Sequence, residues 1–483
     1  MTEKFEMVIG LEVHVQVKSA SKMFCGCSTE FGAEPNTQTC PVCTGLPGVL
    51  PVINKKVVED AVKTGHVLNC AIAGHSIFAR KNYFYPDLPK NYQISQYEKP
   101  LAENGWVEVN VHGEKKKIGI TRVHLEEDAG KLIHDIGAGS LVDLNRTGTP
   151  LMEIVSTPCM SDSTEAYEYL KALKTILQYM NVSDCDMEKG SLRCDANVSV
   201  RKKGQEELGT KTEIKNLNSF KAVQKALDYE AERQAGVLLG GGRVVQETRL
   251  WDEASGTTVT MRSKEEAHDY RYFPEPDLVP IKISIEWRNE LLKGLPELPA
   301  IRAGRFMKDY GLSEYDTGVL TADKSVADFY EECVKKCKTT AGQKLYKTAA
   351  NWVMGDLLGH LNADNKDIKA SPVSTGMLAG MIELIENGTI SGKIAKTVFD
   401  EMYSTSKKPE AIIKEKNLVQ VSDEGELEAV IKEAIEENQE VVRKFKEGKA
   451  QALGFLVGQV MKKSQGKANP AVVNKMLVEK LKG

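Results

Sequence analysis

Four cysteines near the N-terminus fall into two close pairs, Cys25-Gly-Cys27 and, after twelve intervening residues, Cys40-Pro-Val-Cys43. Thiolates at this spacing can close a tetrahedral shell around one zinc ion, with Gly26, Pro41 and Gly45 supplying the tight turns. A filled shell leaves no open position for a substrate, so the role it predicts is structural. The alternative is a set of ordinary core thiols.

A second set of residues suits a different chemistry. The run G-L-E-V-H-V-Q-V from Gly10 puts Glu12, His14 and Gln16 on one face of a strand, and Leu11, Val13, Val15 and Val17 on the other. A carboxylate, an imidazole and an amide on one face can hold a divalent metal or orient a phosphate. The run I-T-R-V-H-L-E-E-D-A-G-K from Ile120 ends in three consecutive acids, whose mutual repulsion is tolerable on a solvated loop or beside a cation. Alternation sets Glu127 apart from Arg122, His124, Glu126 and Asp128. Further on, Arg193, Asp195 and Asn197 share one face, and Lys211, Glu213 and Lys215 share another. If these faces meet, they form a concave site of oxygen ligands and cations, fit for magnesium and a nucleotide phosphate. Each segment alone is also what a solvated strand looks like.

The elements that must position these residues are strands up to about Pro280, among them Trp106 to Val111, Lys117 to Leu125, Leu151 to Val155, Leu192 to Arg201 and Lys211 to Leu217. Two helices interrupt them, around Ser163 to Met180 and from an N-cap at Ser219 to Gly236, which makes this part α+β. After Leu295-Pro-Glu-Leu-Pro299 the periodicity is helical, and the turn at Ser404-Thr-Ser-Lys-Lys-Pro409 opens a third, helical segment. The expected domains are 1–293, 294–407 and 408–483.

Bulk composition excludes several classes. A net charge of −4 over 483 residues predicts no generally basic surface, but residues 441–483 carry ten Lys or Arg against two Glu, a local patch suited to a phosphate backbone. The absence of a membrane-length apolar run and of a signal peptide predicts a cytoplasmic protein with reduced thiols. Neither G-x-x-x-x-G-K-[ST] nor G-x-G-x-x-G after a strand is present, so any ATP must bind without a P-loop.

Longer motifs then carry a resemblance. V-I-G-L-E-V-H-V from Val8, R-K-N-Y-F-Y-P-D-L-P-K from Arg80, Y-Q-I-S-Q-Y from Tyr92 and V-D-L-N-R-T-G-T-P-L-M-E-I-V-S from Val142 resemble the B subunits of bacterial aspartyl/glutamyl-tRNA amidotransferases. So do G-S-L-R-C-D-A-N from Gly190, E-I-K-N-L-N-S-F from Glu213, D-Y-R-Y-F-P-E-P-D from Asp269, G-F-L-V-G-Q-V-M-K from Gly454 and G-K-A-N-P from Gly466. The resemblance runs end to end. It implies a cradle-shaped catalytic domain related to glutamine synthetase, a helical domain and a small all-helical tail that touches tRNA. It implies ATP- and magnesium-dependent phosphorylation of the side-chain carboxylate of Glu-tRNA(Gln) or Asp-tRNA(Asn). Ammonia from a partner glutaminase (amidase) subunit then displaces the phosphate, and a small third subunit, which clamps the other two together, makes the heterotrimer.

Carried over residue by residue, the resemblance makes Glu12, His14, Glu127 and Glu213 the metal ligands and catalytic groups, with Asp195 and Glu153 as further magnesium candidates. Lys81, Arg146, Arg193 and Lys215 are the expected phosphate or substrate contacts, on charge and motif membership. Cys25, Cys27, Cys40 and Cys43 match the zinc-bearing members of the family. Two other functions fit parts of the chain: a noncatalytic tRNA-binding scaffold of the same complex, and a free-standing glutamine-synthetase-like ligase acting on small amino acids.

Overall fold

The computed structural model describes residues 4–133, 139–263, 270–337, 342–418, 424–446, 451–464, 468 and 470–482. Asp269, Gly466, Lys467 and Asn469 of the motifs above lie outside them. The chain divides into two compact units, Met1–Leu298 and Pro299–Gly483.

In chain order the first unit holds β1 (Phe5–Gln16), α1 (Lys55–Val67), β2 (Ala71–Ile72), β3 (His75–Ser76), β4 (Ala79–Asn82), β5 (Tyr92–Ser95), β6 (Ala102–Val111) and β7 (Glu114–Glu127). It continues with β8 (Lys131–Ile133), β9 (Leu141–Asp143), β10 (Pro150–Ser156), α2 (Ser163–Tyr179), β11 (Leu192–Lys202), β12 (Thr212–Lys215) and α3 (Phe220–Leu239). It ends with β13 (Glu247–Asp252), β14 (Thr257–Ser263), β15 (Phe273–Pro274), β16 (Ile281–Lys282) and α4 (Ile285–Lys293). Nine of the strands make one sheet in the order β14-β13-β12-β11-β1-β10-β7-β6-β2, and β15-β4-β5 make a second. The long N-terminal strand is therefore central, antiparallel to β10 on one side and β11 on the other.

Alternation in β1 decides which face is core. Leu11, Val13 and Val15 are fully buried in a cluster with Val57, Ala61 and Val62 of α1, Tyr169, Leu170 and Leu173 of α2, and Val223 and Leu227 of α3. At about 25 cal/mol per Å² of apolar surface, this one-sided burial fixes the strand's register, because a one-residue slip would put Glu12 and His14 into that core. His112 and Gly113, both at positive φ (53° and 85°), link β6 to β7 through the two-residue turn that matches strand twist, and so set the register of the Arg122–Glu127 run.

Helices α2 and α3 form where periodicity places them, the latter extending to Leu239, whereas α1 is a third helix that was not among those expected. Its apolar residues do recur with helical spacing, Val57, Val58, Ala61 and Val62 sharing the buried face, but its valines are β-branched, which weakens the local helical preference. A second local signal is the N-cap Asn54, which accepts from the Val57 amide.

The second unit is helical among the described residues, from α5 (Pro299–Tyr310) to a last helix at Pro470–Lys482. It contains two hydrophobic clusters, one from Phe306 to Ile413 and one from Leu427 to Leu481. Around the later cluster Lys463 pairs with Glu433 and Glu437, and Lys480 with Glu428, so the basic helices partly neutralise an acidic one. No described helix is long and apolar enough to cross a membrane.

Candidate active site on the open face of the sheet

The polar face of β1 meets the polar faces of its neighbours through the strand register. His14 lies opposite Glu153 of β10 and Arg193 of β11, Glu12 lies opposite Asp195, and Glu153 lies opposite His124 of β7. These side chains, apart from Arg193, line a cavity of about 370 Å³ together with Glu126, Glu213, Lys215 and Thr248. Lys81 of β4, Ser95 of β5 and the rings of Tyr97, Tyr270 and Tyr272 line it too.

Its centre is a metal-competent cluster. His14, Glu126 and Glu153 each offer a ligand atom, all within 4.8 Å of one another. His14 Nε2 lies 3.4 Å from Glu126 Oε1 and 3.5 Å from Glu153 Oε2. Oxygen ligands on opposite sides of one magnesium ion are about 4.2 Å apart, so one ion can engage all three after a small closure. Two carboxylates and an imidazole are a donor set for a hard or borderline divalent cation.

Charge balance within the cluster is strongly perturbed. Burial disfavours a charged His14, but Glu153 and Glu126 outweigh it and hold the imidazolium well above its ordinary pKa. Burial likewise opposes ionisation of Glu153, yet His124 and His14 pull its pKa well below the carboxylate range. Glu12 moves the other way, raised by burial and then by the charges of Glu153, Glu213 and Asp195. An arriving cation would offset the repulsion that raises it.

The flanks are cationic. Lys215 bonds to Asp195 and lies 3.4 Å from Glu213, which in turn accepts from the Thr248 hydroxyl at 2.9 Å. Lys81 sits over the Tyr270 ring at 4.8 Å; burial lowers its pKa, but the Glu126 charge and the surrounding phenols more than offset that. Asn197 donates to Glu12 at 2.9 Å.

Three expected site residues are not brought to this cavity. Glu127 points to the other side of β7, as alternation requires, where its carboxylate accepts from Lys90 and from the Ile94 amide at 2.9 Å. The residue that joins His14 is its neighbour Glu126. Arg193 and Arg146 converge instead on buried Asp128, at 2.9 and 3.6 Å, with Gln16 donating to the same carboxylate at 3.0 Å. Arg146 also spans the Ala129 and Gly130 carbonyls. Tyr270 and Tyr272 wall the cavity without having been expected there, although the D-Y-R-Y motif holds both.

The four knuckle cysteines do converge, with all four sulfurs within 4.8 Å of one another and Cys40 and Cys43 Sγ 3.9 Å apart. Sulfurs around a tetrahedral zinc lie about 3.8 Å apart, so the set fits that ion. Cys43 is held down to about 4 by hydrogen bonding from Cys25, helped by the Lys22 ammonium 3.6 Å away. Gly45, at φ 71°, has no room for a side chain: a Cβ there would lie 2.4 Å from Lys90 Cγ.

Comparison with known proteins follows the same division of the chain. Residues 7–289 match the GatB/GatE catalytic domain, and residues 328–481 match the GatB domain. The chain is 58% identical to the aspartyl/glutamyl-tRNA(Asn/Gln) amidotransferase B subunit of Carboxydothermus hydrogenoformans over 482 residues, 99% of both chains. It is 58% identical to the B subunit of the same name from a Thermoanaerobacter species, over 99% of both chains. The Geobacter sulfurreducens homologue of that name is 56% identical, covering 99% of this chain and all of that one.

Proposed function

Because the chain belongs to the GatB/GatE family of tRNA amidotransferase subunits, we propose that it activates and amidates the side-chain carboxylate of Glu-tRNA(Gln) or Asp-tRNA(Asn) on the open face of its sheet. The observation that carries this reading is the convergence of His14, Glu126 and Glu153 inside a cavity flanked by Lys81 and Lys215. A carboxylate is a poor acyl donor until one oxygen becomes phosphate. ATP and a divalent cation supply the phosphoryl group and the charge screening for that conversion.

The residues divide the work by position. His14, Glu126 and Glu153 hold the cation, magnesium in this reading, while Glu12, Asp195 and Glu213 line the same face as a second acidic bank. Lys215 and Lys81 line the same cavity and would neutralise phosphate oxygens there. The tyrosine rings beside Lys81 narrow water access, which strengthens every charge interaction inside. Asp128, with Arg193 and Arg146, presents partly exposed guanidinium groups near one end of the face, a place for a further substrate phosphate.

In this reading the region around β1 is a glutamine-synthetase-like cradle. The cysteine knuckle holds a structural zinc, and the tail from about Lys408 onward contacts the tRNA body through its basic helices. A glutaminase partner would supply ammonia, with a small third subunit joining the two in a cytoplasmic heterotrimer. A noncatalytic scaffold gives no reason for packing two histidines against two carboxylates, with His124 and Glu126 buried and His14 and Glu153 half-buried, since such a cluster is costly unless it binds something.

The discriminating assay is phosphate release from ATP by the intact complex. Release should require misacylated tRNA and should not occur with uncharged tRNA or free glutamate. Release with free glutamate would favour the free-standing ligase, and no release at all would favour the scaffold.

A further inference from the structure

Four tyrosines run in contact from the cavity to the surface. Tyr83 meets Tyr270 with ring centroids 5.9 Å apart, Tyr270 meets Tyr272 at 6.1 Å, and Tyr272 stacks face to face on Tyr97 at 4.2 Å and 5°. The inner end lies beside Lys81, whose ammonium is 4.8 Å from the Tyr270 centroid. The outer end is Tyr97, which is 39% exposed. Tyr97 and Tyr272 line the cavity that holds His14, Glu126 and Glu153, and they also line a neighbouring surface groove with Phe78, Phe273 and Pro274. Phe273 is itself 45% exposed. Flat aromatic rings left open at the rim of a site are what a nucleobase stacks on.

We infer that Tyr97 binds the base of the terminal adenosine of the substrate tRNA, which extends the Tyr272–Tyr97 stack at this groove. The inference rests on the reading that the side-chain carboxylate of an aminoacyl-tRNA is activated beside His14, Glu126 and Glu153, and it adds the site of the nucleoside that carries that group. The covalent tether sets the distance. In an extended glutamyl ester the side-chain carboxyl carbon lies roughly 6 Å from the ester oxygen, and the ribose and base follow directly. Ser95 Oγ donates to the Glu126 carboxylate at 3.2 Å, and Tyr97 is two residues further along the chain, within about 7 Å of Ser95 between Cα atoms. A carboxylate held at the cluster therefore brings its adenine to the exposed end of the tyrosine series, while the rest of the tRNA stays in solvent. The adenine of ATP is the less suited occupant. It arrives on a triphosphate, and at this groove Lys99 is countered by Glu98, which leaves no net charge to hold one, whereas a terminal nucleoside brings a single phosphate.

The test measures equilibrium binding of two RNAs to the full chain in complex with its partner subunits: the cognate uncharged tRNA, and the same tRNA shortened by its terminal adenosine. The wild-type complex should bind the shortened RNA about 5- to 100-fold more weakly, the range expected for one stacked base. Tyr97→Ala should lose that much affinity for the intact tRNA and none for the shortened one, so that the two RNAs bind it alike. Tyr97→Phe keeps the ring and should behave as the wild type. Phe273→Ala, on the other wall of the groove, repeats the comparison with the same expected direction should thermal melts show that Tyr97→Ala is misfolded. Equal binding of the two RNAs by the wild type, equal losses for both RNAs in Tyr97→Ala, or equal defects in the Ala and Phe variants would overturn the inference. So would a rise in the KM for ATP as large as the loss of tRNA affinity, because the stacked base would then be that of the nucleotide. The underlying reading is tested apart from these comparisons. Glu126→Gln should abolish divalent binding and tRNA-dependent phosphate release; if it does neither, that reading falls, while the two-RNA comparison still reports on Tyr97.

Discussion

The cysteine knuckle and the His14 cluster are both candidate metal centres, and they are built in opposite ways. Four sulfurs come from nineteen consecutive residues, Cys25 to Cys43, and their geometry depends on local turns. Three ligands of the other site come from β1, β7 and β10, up to 139 residues apart between His14 and Glu153, and their geometry depends on strand register across the sheet. The first set can fill a tetrahedral shell; the second leaves positions open toward a cavity walled by Lys81, Lys215 and tyrosines. A closed local site suits a fold-stabilising ion, and an open site assembled by the sheet suits chemistry. The difference predicts that stability and activity will separate when each is damaged.

The largest separation is expected from the open site. His14→Ala and Glu153→Gln should each lower tRNA-dependent phosphate release by roughly three orders of magnitude, because several kcal/mol of charge stabilisation goes with the cation. Their melting temperatures should stay near that of the wild type, and steady-state kinetics beside calorimetry reads both. Cys40→Ser should do the reverse, lowering zinc content and destabilising the first unit by a few kcal/mol, a drop of about 5–10 °C. Turnover per folded molecule should persist. Zinc-free protein with an unchanged melt would erase the contrast.

Two smaller effects sharpen it. Lys22 is buried with its ammonium on the Gln38 carbonyl at 2.7 Å and on Cys43 Sγ at 3.6 Å, so Lys22→Met should speed zinc loss to a chelator by about tenfold without altering Mg²⁺ affinity. Glu127→Gln should change divalent affinity at the sheet site by less than about twofold, since the side chain engages Lys90 and Ile94 on the opposite side of its strand. A loss as large as that of Glu126→Gln would mean that β7 changes register when the cation binds.

What could be seen in the sequence follows the same contrast. The knuckle was legible because spacing alone brings its sulfurs together. The polar strand faces were legible from period-two alternation in β1, β7, β11 and β12, but which faces meet is decided by pairing, and pairing is not local. The pair Glu126 and Glu127 shows the cost. Alternation already placed Glu126 with His124 and Glu127 away from them, yet the family resemblance made Glu127 the expected ligand, whereas the carboxylate beside His14 is that of Glu126. Arg146 and Arg193 carried charge and motif membership, and neither signal shows that Asp128 would gather them. Helix α1 was legible too, since Val57, Val58, Ala61 and Val62 recur with helical spacing behind the N-cap Asn54, although β-branched valines suit a strand as well.

The most direct measurement is anomalous diffraction from crystals of the intact complex grown with Mn²⁺ in place of Mg²⁺, collected at the manganese and zinc edges. The account predicts a manganese peak bounded by His14 Nε2, Glu126 and Glu153, and a separate zinc peak among the Sγ atoms of Cys25, Cys27, Cys40 and Cys43. A manganese peak at Glu127 or at the knuckle, with none beside His14 at concentrations that support turnover, would contradict it.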